Sequence, residues 1–291
     1  MNDPRGTAAS AERRTGPAAV PPVVTLRADD GATVDIHRHG AHVTSWRPAG
    51  DGEDRIYLSS RSDFGGSAAI RGGIPVVFPQ FALEGPLPRH GFARTLPWAL
   101  GCIAREADGA ADAEFVLRDS DETRAVWDAA FKAVLAVTVV ARQLEVSLRV
   151  ENVGETAFSF TAALHTYLRV HDVDDTELLG LRGTLYRESG DPTLRADDVE
   201  RLLVREYLDR VYVGAPPRLE LRERDRVLVI ESEGFPDAVV WNPGRERAAS
   251  LHDLEPGDER RFVCVEAAVV QTPVTLGAGR RWAGTQTLTA Q

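Results

Sequence analysis

The chain has 291 residues, of which 43% are hydrophobic, so it is long enough to bury a substantial core. Acidic residues outnumber basic ones by 44 to 34, and the resulting net charge of −10 disfavours a surface built for nucleic acid or anionic membranes. No apolar run approaches the roughly 20 residues that a membrane-spanning helix needs. Two distant cysteines, Cys102 and Cys264, indicate buried free thiols rather than a disulfide framework.

The first segment, residues 1–22, is rich in alanine, proline, glycine and charge. It lacks the apolar stretch of a secretory signal, so we expect a disordered tail on a cytoplasmic protein. After Val23 there is no change of composition and no internal repeat. We therefore expect one folded domain over residues 23–291.

Alternation of apolar and polar residues predicts strands along the rest of the chain. The stretch "VTLRADDGATVDIHRHGAHVTSW" predicts three strands, separated by an Asp-Asp-Gly turn and a glycine break. Further strands are predicted in "LEVSLRVEN", "SFTAALHTYLRV", "VLVIES", "DAVVWNP", "RFVCVEAAVV" and "GTQTLTA". Only "SDETRAVWDAAF", from Ser120 to Phe131, has a helical pattern. Many short strands without βαβ alternation predict an all-β fold, a large antiparallel β-sandwich with few short helices.

Three histidines near the start of the predicted domain, His37, His39 and His42, resemble a metal cluster at first sight. His37 and His39 would share a face on a strand, but the glycine at position 40 interrupts the run before His42. A polar strand face is the alternative, and we expect no metal here.

The segment "IRGGIPVVFPQFALEGPLPRHGFARTLPW" is too interrupted by glycine and proline to be a helix. Arg71 precedes two glycines, and Arg89, His90 and Arg94 fall within one loop. Glycine allows the backbone to approach a ligand closely, and clustered arginines on an acidic protein require anions nearby. Those anions are either the protein's own carboxylates or a ligand such as a phosphate.

A histidine and a glutamate on two predicted strands are candidates for acid–base chemistry. Strand alternation places His165 on the face of "SFTAALHTYLRV" that also carries Ala163 and Tyr167. It is either hydrogen-bonded within a half-buried sheet face or a general acid, since imidazole titrates near neutral pH. Glu266 shares its face with Cys264, and a carboxylate there is either part of a structural ion pair or a tuned general base.

Six motifs occur in the order "RGGIPVVFPQF", "PRHGFAR", "ALHTYL", "YLDRVY", "VVWNPG" and "FVCVEAA". In this order they resemble the aldose 1-epimerase superfamily, and most closely its D-hexose-6-phosphate mutarotase (glucose-6-phosphate 1-epimerase) branch, over about residues 23 to 290. The resemblance implies a galactose-mutarotase-like supersandwich with a sugar cleft on the concave face of one sheet. It also implies an isomerase that interconverts the α and β anomers of a hexose 6-phosphate without cofactor or metal.

The resemblance assigns roles to individual residues. His165 matches the family's general acid and Glu266 its general base, while Asp209 is expected to hold sugar hydroxyls. His90 is expected to polarise or orient the ring oxygen.

Three arginines are implied as substrate-binding residues. Arg71 and Arg94 match the family's substrate-binding arginines, with the phosphate as their target. Arg89 stands where the family commonly has glutamine, before His-Gly. This extra cation would tighten phosphate binding, shift the preferred sugar phosphate, or point outward.

Two other functions remain open at this stage. One is an epimerase acting on unphosphorylated aldoses, and the other is a non-catalytic sugar-phosphate-binding module. The partner expected in the first case is a small-molecule sugar phosphate, with no nucleic acid and no membrane, and the chain is expected to act as a monomer.

Overall fold

A computed structural model describes residues 23–64, 68–224 and 226–291. The predicted N-terminal tail, residues 1–22, lies outside these described residues. Within them the chain forms twenty β-strands, two short α-helices and three 3-10 helices, which confirms the all-β class. In these described ranges, none of the helices has the length and apolar character needed to cross a membrane.

The strands are numbered along the chain. Their bounds are β1 (Val23–Arg27), β2 (Thr33–His37), β3 (His42–Arg47), β4 (Val76–Val77), β5 (Ala99–Arg105), β6 (Ala111–Arg118), β7 (Phe131–Val140), β8 (Gln143–Asn152), β9 (Phe158–Leu164), β10 (Tyr167–Arg169), β11 (Thr176–Leu179), β12 (Leu185–Glu188), β13 (Arg195–Ala196), β14 (Arg201–Leu203), β15 (Leu208–Val213), β16 (Arg218–Glu223), β17 (Arg226–Glu233), β18 (Asp237–Asn242), β19 (Phe262–Leu276) and β20 (Arg281–Ala290).

The helical elements are short. α1 (Asp121–Val126) lies in the segment predicted to be helical, and its N-terminus is closed by a capping box between Ser120 and Thr123. α2 (Gly244–Ala248) was not predicted, since five residues are too few to produce a helical period. The 3-10 helices are Ala93–Thr95, Val173–Asp175 and Asp258–Arg260.

The strands form three sheets. β1, β2 and β3 form a three-stranded sheet, as the first predicted segment requires. A second sheet has the order β13-β12-β15-β18-β19-β9-β4, with β10 also paired to β19. A third has the order β14-β11-β16-β17-β20-β8-β7-β6-β5. The neighbouring strands at the centre of both large sheets run antiparallel.

The hydrophobic core lies between the two large sheets. Alternate residues of β8, such as Leu144 and Val146, belong to the same buried cluster as Val263 and Val265 of β19 in the other sheet. Burying both inner faces against each other accounts for the period-2 patterns and confirms the predicted sandwich.

The second sheet has eight strands, counting β10. Its outer face carries the residues of β19 that alternate with the core residues. Cys264, Glu266 and Ala268 alternate with the core residues and are buried on this other side, as the pattern predicts. Cys264 is therefore a buried free thiol, but the same expectation for Cys102 is wrong. Cys102 is exposed because β5 lies at the edge of its sheet, where all seven of its residues are exposed.

Candidate active site

Two rungs of the eight-stranded sheet place polar side chains on its outer face. Asp209 of β15 lies opposite Trp241 of β18, and Trp241 lies opposite Cys264 of β19. In the adjacent rung, Val239 of β18 lies opposite Glu266 of β19. Opposite residues of an antiparallel pair share a face, and so do residues two apart on one strand. Asp209 and Glu266 therefore project from the same surface.

His165 stands where the chain leaves this sheet between two strands. Its segment was predicted as one continuous strand, but β9 ends at Leu164 and β10 begins at Tyr167. The His165 amide donates to the carbonyl of Pro75 at 3.0 Å, outside the regular ladder. The imidazole stacks on the Tyr167 ring, with centroids 4.9 Å and planes 12° apart. This stacking holds the imidazole over the outer face of the sheet.

The imidazole of His165 contacts the carboxylate of Glu266. Nδ1 and Oε1 are 3.2 Å apart, and the two side chains are only 9% and 2% exposed. The geometry of this contact is not that of a hydrogen bond. Among the residues that the structure describes, Nδ1 of His165 therefore has no hydrogen-bond partner, and Oε2 of Glu266 has none either. Buried polar atoms in native proteins normally find partners, so these two mark a place where a polar ligand would fit.

Burial shifts the pKa values of both members of this pair. It raises the pKa of Glu266 well above its usual range; nearby Asp209 raises it further and Arg94 opposes the shift. It lowers the pKa of His165 well below its usual value, and the positive charges of Arg94 and Arg71 add to that effect. The shifts favour a neutral imidazole beside a protonated carboxyl. This state has the same number of protons as an imidazolium beside a carboxylate, and the two states differ only in which side chain holds the shared proton.

His90 is positioned by a tight loop. Its amide donates to the carbonyl of Ala82 at 2.9 Å, and its Nδ1 accepts the Ala82 N–H at 3.3 Å. Accepting at Nδ1 places the proton of the neutral ring on Nε2. Burial and the charges of Arg94 and Arg89 lower the pKa of His90 to about 3, so the ring is neutral at physiological pH.

The residue after His90 must be glycine. Gly91 has φ +68°, and a Cβ atom there would lie 2.2 Å from the carbonyl oxygen of Phe78. That oxygen accepts hydrogen bonds from the amides of Phe92 and Ala93, which keeps it close to Gly91. The glycine of "RHGFAR" therefore allows the loop to turn against the strand end and present His90.

The three predicted arginines have different environments. Arg71 donates to the Tyr167 hydroxyl at 3.0 Å and forms an ion pair with Asp253 at 3.1 Å. Arg94 donates to the carbonyl of Arg89 at 2.9 Å, and burial lowers its pKa. Neither Arg94 nor Arg89 forms an ion pair with a carboxylate in the described part of the chain. Their positive charges are therefore left uncompensated by direct contact.

Asp209 is held by a tyrosine at the edge of the site. The Tyr207 hydroxyl donates to Oδ2 of Asp209 at 2.9 Å. Burial raises the pKa of Asp209, while the Tyr207 hydrogen bond and the charges of Arg89 and Arg247 oppose the increase. The side chain of Ser189 also acts on this carboxylate by hydrogen bonding, so Asp209 is oriented from two sides at the cleft wall.

These side chains line one cleft of about 380 Å³, a volume suited to a small molecule. All seven residues predicted from the sequence lie along it, namely Arg71, Arg89, His90, Arg94, His165, Asp209 and Glu266. Arg89, whose orientation the sequence left undecided, is among these lining residues.

The lining also includes three aromatic residues and an arginine that were not singled out in the sequence: Tyr167, Tyr207, Trp241 and Arg247. The first three fall inside the motifs "ALHTYL", "YLDRVY" and "VVWNPG", and their aromatic character was the available signal. No signal in the sequence pointed to Arg247, because exposed arginines are frequent along this chain.

The three N-terminal histidines, His37, His39 and His42, are not among the residues that line this cleft. His42 donates from Nε2 to the carbonyl of Gly72 at 2.8 Å, and His39 faces the carbonyl of Ala68 at 3.2 Å. Across residues 23–64, 68–224 and 226–291, no group of three or more histidines, cysteines and acidic residues is arranged to hold a metal ion.

Sequence comparison finds similar proteins along most of the chain. The sequence model described as aldose 1-epimerase matches residues 22–289. A provisionally named glucose-6-phosphate 1-epimerase of Cenchrus ciliaris is 32% identical over 277 residues, covering 92% of this chain and 84% of that protein. A protein of Escherichia coli K12 with the same provisional name is 36% identical over 235 residues, covering 79% of this chain and 77% of that protein.

Solved structures share the fold. A provisionally assigned mutarotase of Salmonella typhimurium superposes with a TM-score of 0.81 at 27% identity, covering 89% of this chain and 87% of that one. A galactose 1-epimerase of Lactobacillus acidophilus superposes with a TM-score of 0.70 at 17% identity, covering 92% and 94% of the two chains.

Proposed function

The chain belongs to the aldose 1-epimerase family, and we propose that it interconverts the α and β anomers of a D-hexose 6-phosphate in the cleft described above. Anomer interconversion by an isomerase is the activity of the family. The proposal adds the phosphorylated substrate and the roles of individual residues. The provisional names of the Cenchrus ciliaris and Escherichia coli relatives support a 6-phosphate.

The chemistry requires a base and an acid on either side of one hemiacetal. Glu266 as carboxylate takes the proton of the C1 hydroxyl, the bond between C1 and the ring oxygen breaks, and His165 as imidazolium gives a proton to the ring oxygen. The aldehyde then rotates about the C1–C2 bond. Reclosure on the other face returns the proton from Glu266 to the new C1 hydroxyl and the proton from the ring hydroxyl to His165. The 3.2 Å contact between the two side chains supports this pairing.

Two neighbours assist by hydrogen bonding rather than by proton transfer. His90 is neutral with its proton on Nε2, so it can donate a hydrogen bond to a sugar oxygen but does not compete as an acid. Asp209 can accept sugar hydroxyls with the lone pairs that Tyr207 and Ser189 leave available. Such fixed contacts keep the open-chain aldehyde in place for reclosure.

The preference for a phosphate depends on the uncompensated arginines. In a protein of net charge −10, Arg89 and Arg94 line the cleft without a carboxylate in contact within the described residues. A dianionic phosphate would supply the missing charge through charge-assisted hydrogen bonds. This is the observation that carries the proposed substrate class.

The same phosphate would also prepare the acid. Arg94 and Arg71 are among the charges that lower the pKa of His165. A bound phosphate offsets those charges, raises the pKa of His165, and so favours moving the shared proton from Glu266 to the imidazole. The substrate's own charge thereby favours the protonation state that the reaction requires.

The test compares anomer exchange of glucose 6-phosphate with that of glucose by two-dimensional exchange NMR. We expect kcat/KM to be at least ~10-fold higher for the phosphorylated sugar, since a hydrogen bond to a charged group contributes about 1.5–3 kcal/mol. Glu266→Gln protein gives the background rate. Equal values for the two sugars would instead indicate an aldose epimerase without phosphate selectivity, and tight binding without exchange would indicate a binding module.

A further inference from the structure

Arg247 lies in the wall of the cleft, on the short helix α2. Its guanidinium carbon lies 3.4 Å from the centroid of the Tyr207 ring. Contact with an aromatic face restricts a flexible side chain that would otherwise lose entropy on binding a ligand. Arg247 is therefore exposed at the cleft but already positioned.

The helix that carries Arg247 is anchored by a buried asparagine. The Asn242 Oδ1 atom accepts the Gly244 N–H at 2.8 Å. Its Nδ2 atom donates to the carbonyls of Glu259 and Phe262 at 2.9 and 2.8 Å. These three hydrogen bonds tie the first turn of α2 to the beginning of β19, the strand that carries the candidate base. The location of Arg247 is thus fixed relative to the reacting groups.

Tyr207 connects Arg247 to the carboxylate of Asp209. The Tyr207 hydroxyl donates to Asp209 at 2.9 Å while the ring of the same residue packs against the guanidinium. The charges of Arg247 and Arg89 both act on Asp209 and lower its pKa against the effect of burial. Two arginines from different segments, a loop and a helix, therefore lie close to one sugar-binding carboxylate.

Arg247 also differs from Arg71 in its contacts with carboxylates. Arg71 is already bound to Asp253 at 3.1 Å, whereas Arg247 has no carboxylate in contact within the described parts of the chain. A cation that is positioned but not neutralised is suited to bind an anion.

We propose that Arg247 is a specificity-determining residue that binds the phosphate of the substrate together with Arg89 and Arg94, and that Tyr207 positions it. This inference rests on the proposed function, because it requires a phosphorylated substrate. It adds a fourth arginine to the cleft residues identified by motif, from a helix that no pattern predicted.

The test is the ratio of kcat/KM for glucose 6-phosphate to kcat/KM for glucose. We expect Arg247→Gln to lower this ratio by about 10-fold, mainly through a higher KM for the phosphorylated sugar. Arg245→Gln is the matched control, since Arg245 is an exposed arginine of the same helix that lines a separate cavity. The control is expected to keep the wild-type ratio.

Tyr207 is tested with two variants. Tyr207→Leu removes the ring and is expected to reproduce the loss of phosphate preference seen with Arg247→Gln. Tyr207→Phe keeps the ring but loses the hydrogen bond to Asp209, so it is expected to lower kcat/KM for both sugars while keeping their ratio. Equal ratios for the leucine variant and wild type would exclude the positioning role.

Binding of inorganic phosphate, measured by calorimetry, gives a readout independent of turnover. Arg247→Gln is expected to bind it about 10-fold more weakly than wild type and Arg245→Gln. If wild-type protein prefers glucose 6-phosphate but Arg247→Gln keeps that preference and that affinity, this inference is wrong and the proposed function stands. If wild-type protein does not prefer the phosphorylated sugar, the proposed substrate class fails, and this inference fails with it.

Discussion

The Nδ1 atom of His165, in the link between β9 and β10, lies 3.2 Å from Oε1 of Glu266 on β19, and both side chains are almost fully buried. Each has a pKa shifted by burial in the direction that favours its neutral form. A pair of this kind can exchange one proton without a change in its net charge. That property suits a reaction in which one proton leaves the substrate while another is delivered to it.

The first prediction concerns this pair. Glu266→Gln and His165→Ala are each expected to lower kcat for anomer exchange by at least ~10², the lower end of a general acid–base contribution. The glutamine variant keeps the shape of the side chain and removes its ability to take a proton. Exchange NMR measures the rate, and circular dichroism establishes that each variant is folded. A folded variant with near-wild-type kcat would contradict the assigned role of that residue.

The second prediction concerns the protonation of His165. Its pKa is lowered by burial and by Arg94 and Arg71. In the protein without a bound anion, the His165 imidazole is therefore expected to stay neutral as the pH falls through the range in which histidine usually titrates. Sulfate bound near those arginines would offset their charge and raise the pKa, so that protonation occurs at a higher pH. Nitrogen-15 NMR of the imidazole, with and without sulfate, measures this.

Arg94→Gln serves as the control for that titration. Removing this positive charge is expected to raise the pKa of His165 without sulfate and to reduce the further change that sulfate causes. If His165 in the wild-type protein titrates at the ordinary value for histidine and ignores sulfate, the electrostatic link between phosphate and acid is wrong.

The strand pattern was sufficient to predict which face of β19 carries Glu266. Period-2 alternation survives in the structure because one face packs in the core and the other lines the cleft. The break after Leu164 was not predictable, since residues continue to alternate in type where the backbone leaves the ladder. Local pattern reports which side a residue faces and does not report whether it is hydrogen-bonded to a neighbouring strand.

The electrostatics of the arginines also lay beyond the sequence. The family resemblance implied that Arg71 and Arg94 both bind the phosphate, but one is bound to Asp253 and the other has no carboxylate in contact among the described residues. Asp253 reaches Arg71 from the segment after α2, and no periodicity describes that segment. Contacts between irregular segments depend on tertiary packing, which single-sequence patterns do not encode.

The third prediction follows from the ion pair between Arg71 and Asp253. Asp253→Asn removes a carboxylate that competes with the phosphate for Arg71, so KM for glucose 6-phosphate is expected to fall about two- to fivefold, the range of a partly exposed ion pair. Glu255→Gln is the control, because it removes one negative charge from the same segment but its carboxylate lies near Arg61. A similar fall in both variants would show a general charge effect, and a rise for Asp253→Asn would contradict the competition.

The last prediction concerns the glycine that presents His90. In Gly91→Ala the new Cβ would lie 2.2 Å from the Phe78 carbonyl oxygen, at a φ of +68° that alanine disfavours. Strain and overpacking together are expected to lower the free energy of unfolding by about 2–4 kcal/mol. Displacing His90 is also expected to lower kcat/KM by at least ~10-fold, since small misplacements of positioning groups are costly. Urea denaturation and exchange NMR measure the two effects.

Gly279→Ala is the matched control for this variant. Gly279 has the same φ of +68°, but a Cβ there would meet no atom within 4 Å. It therefore carries the backbone strain alone, which should cost about 1–2 kcal/mol of unfolding free energy and leave kcat/KM unchanged. Since the two glycines share one backbone conformation, the difference between the variants isolates the contact with Phe78. Equal stabilities and equal kcat/KM values would mean that the loop relaxes around the new methyl group and that the turn at Gly91 does not determine the placement of His90.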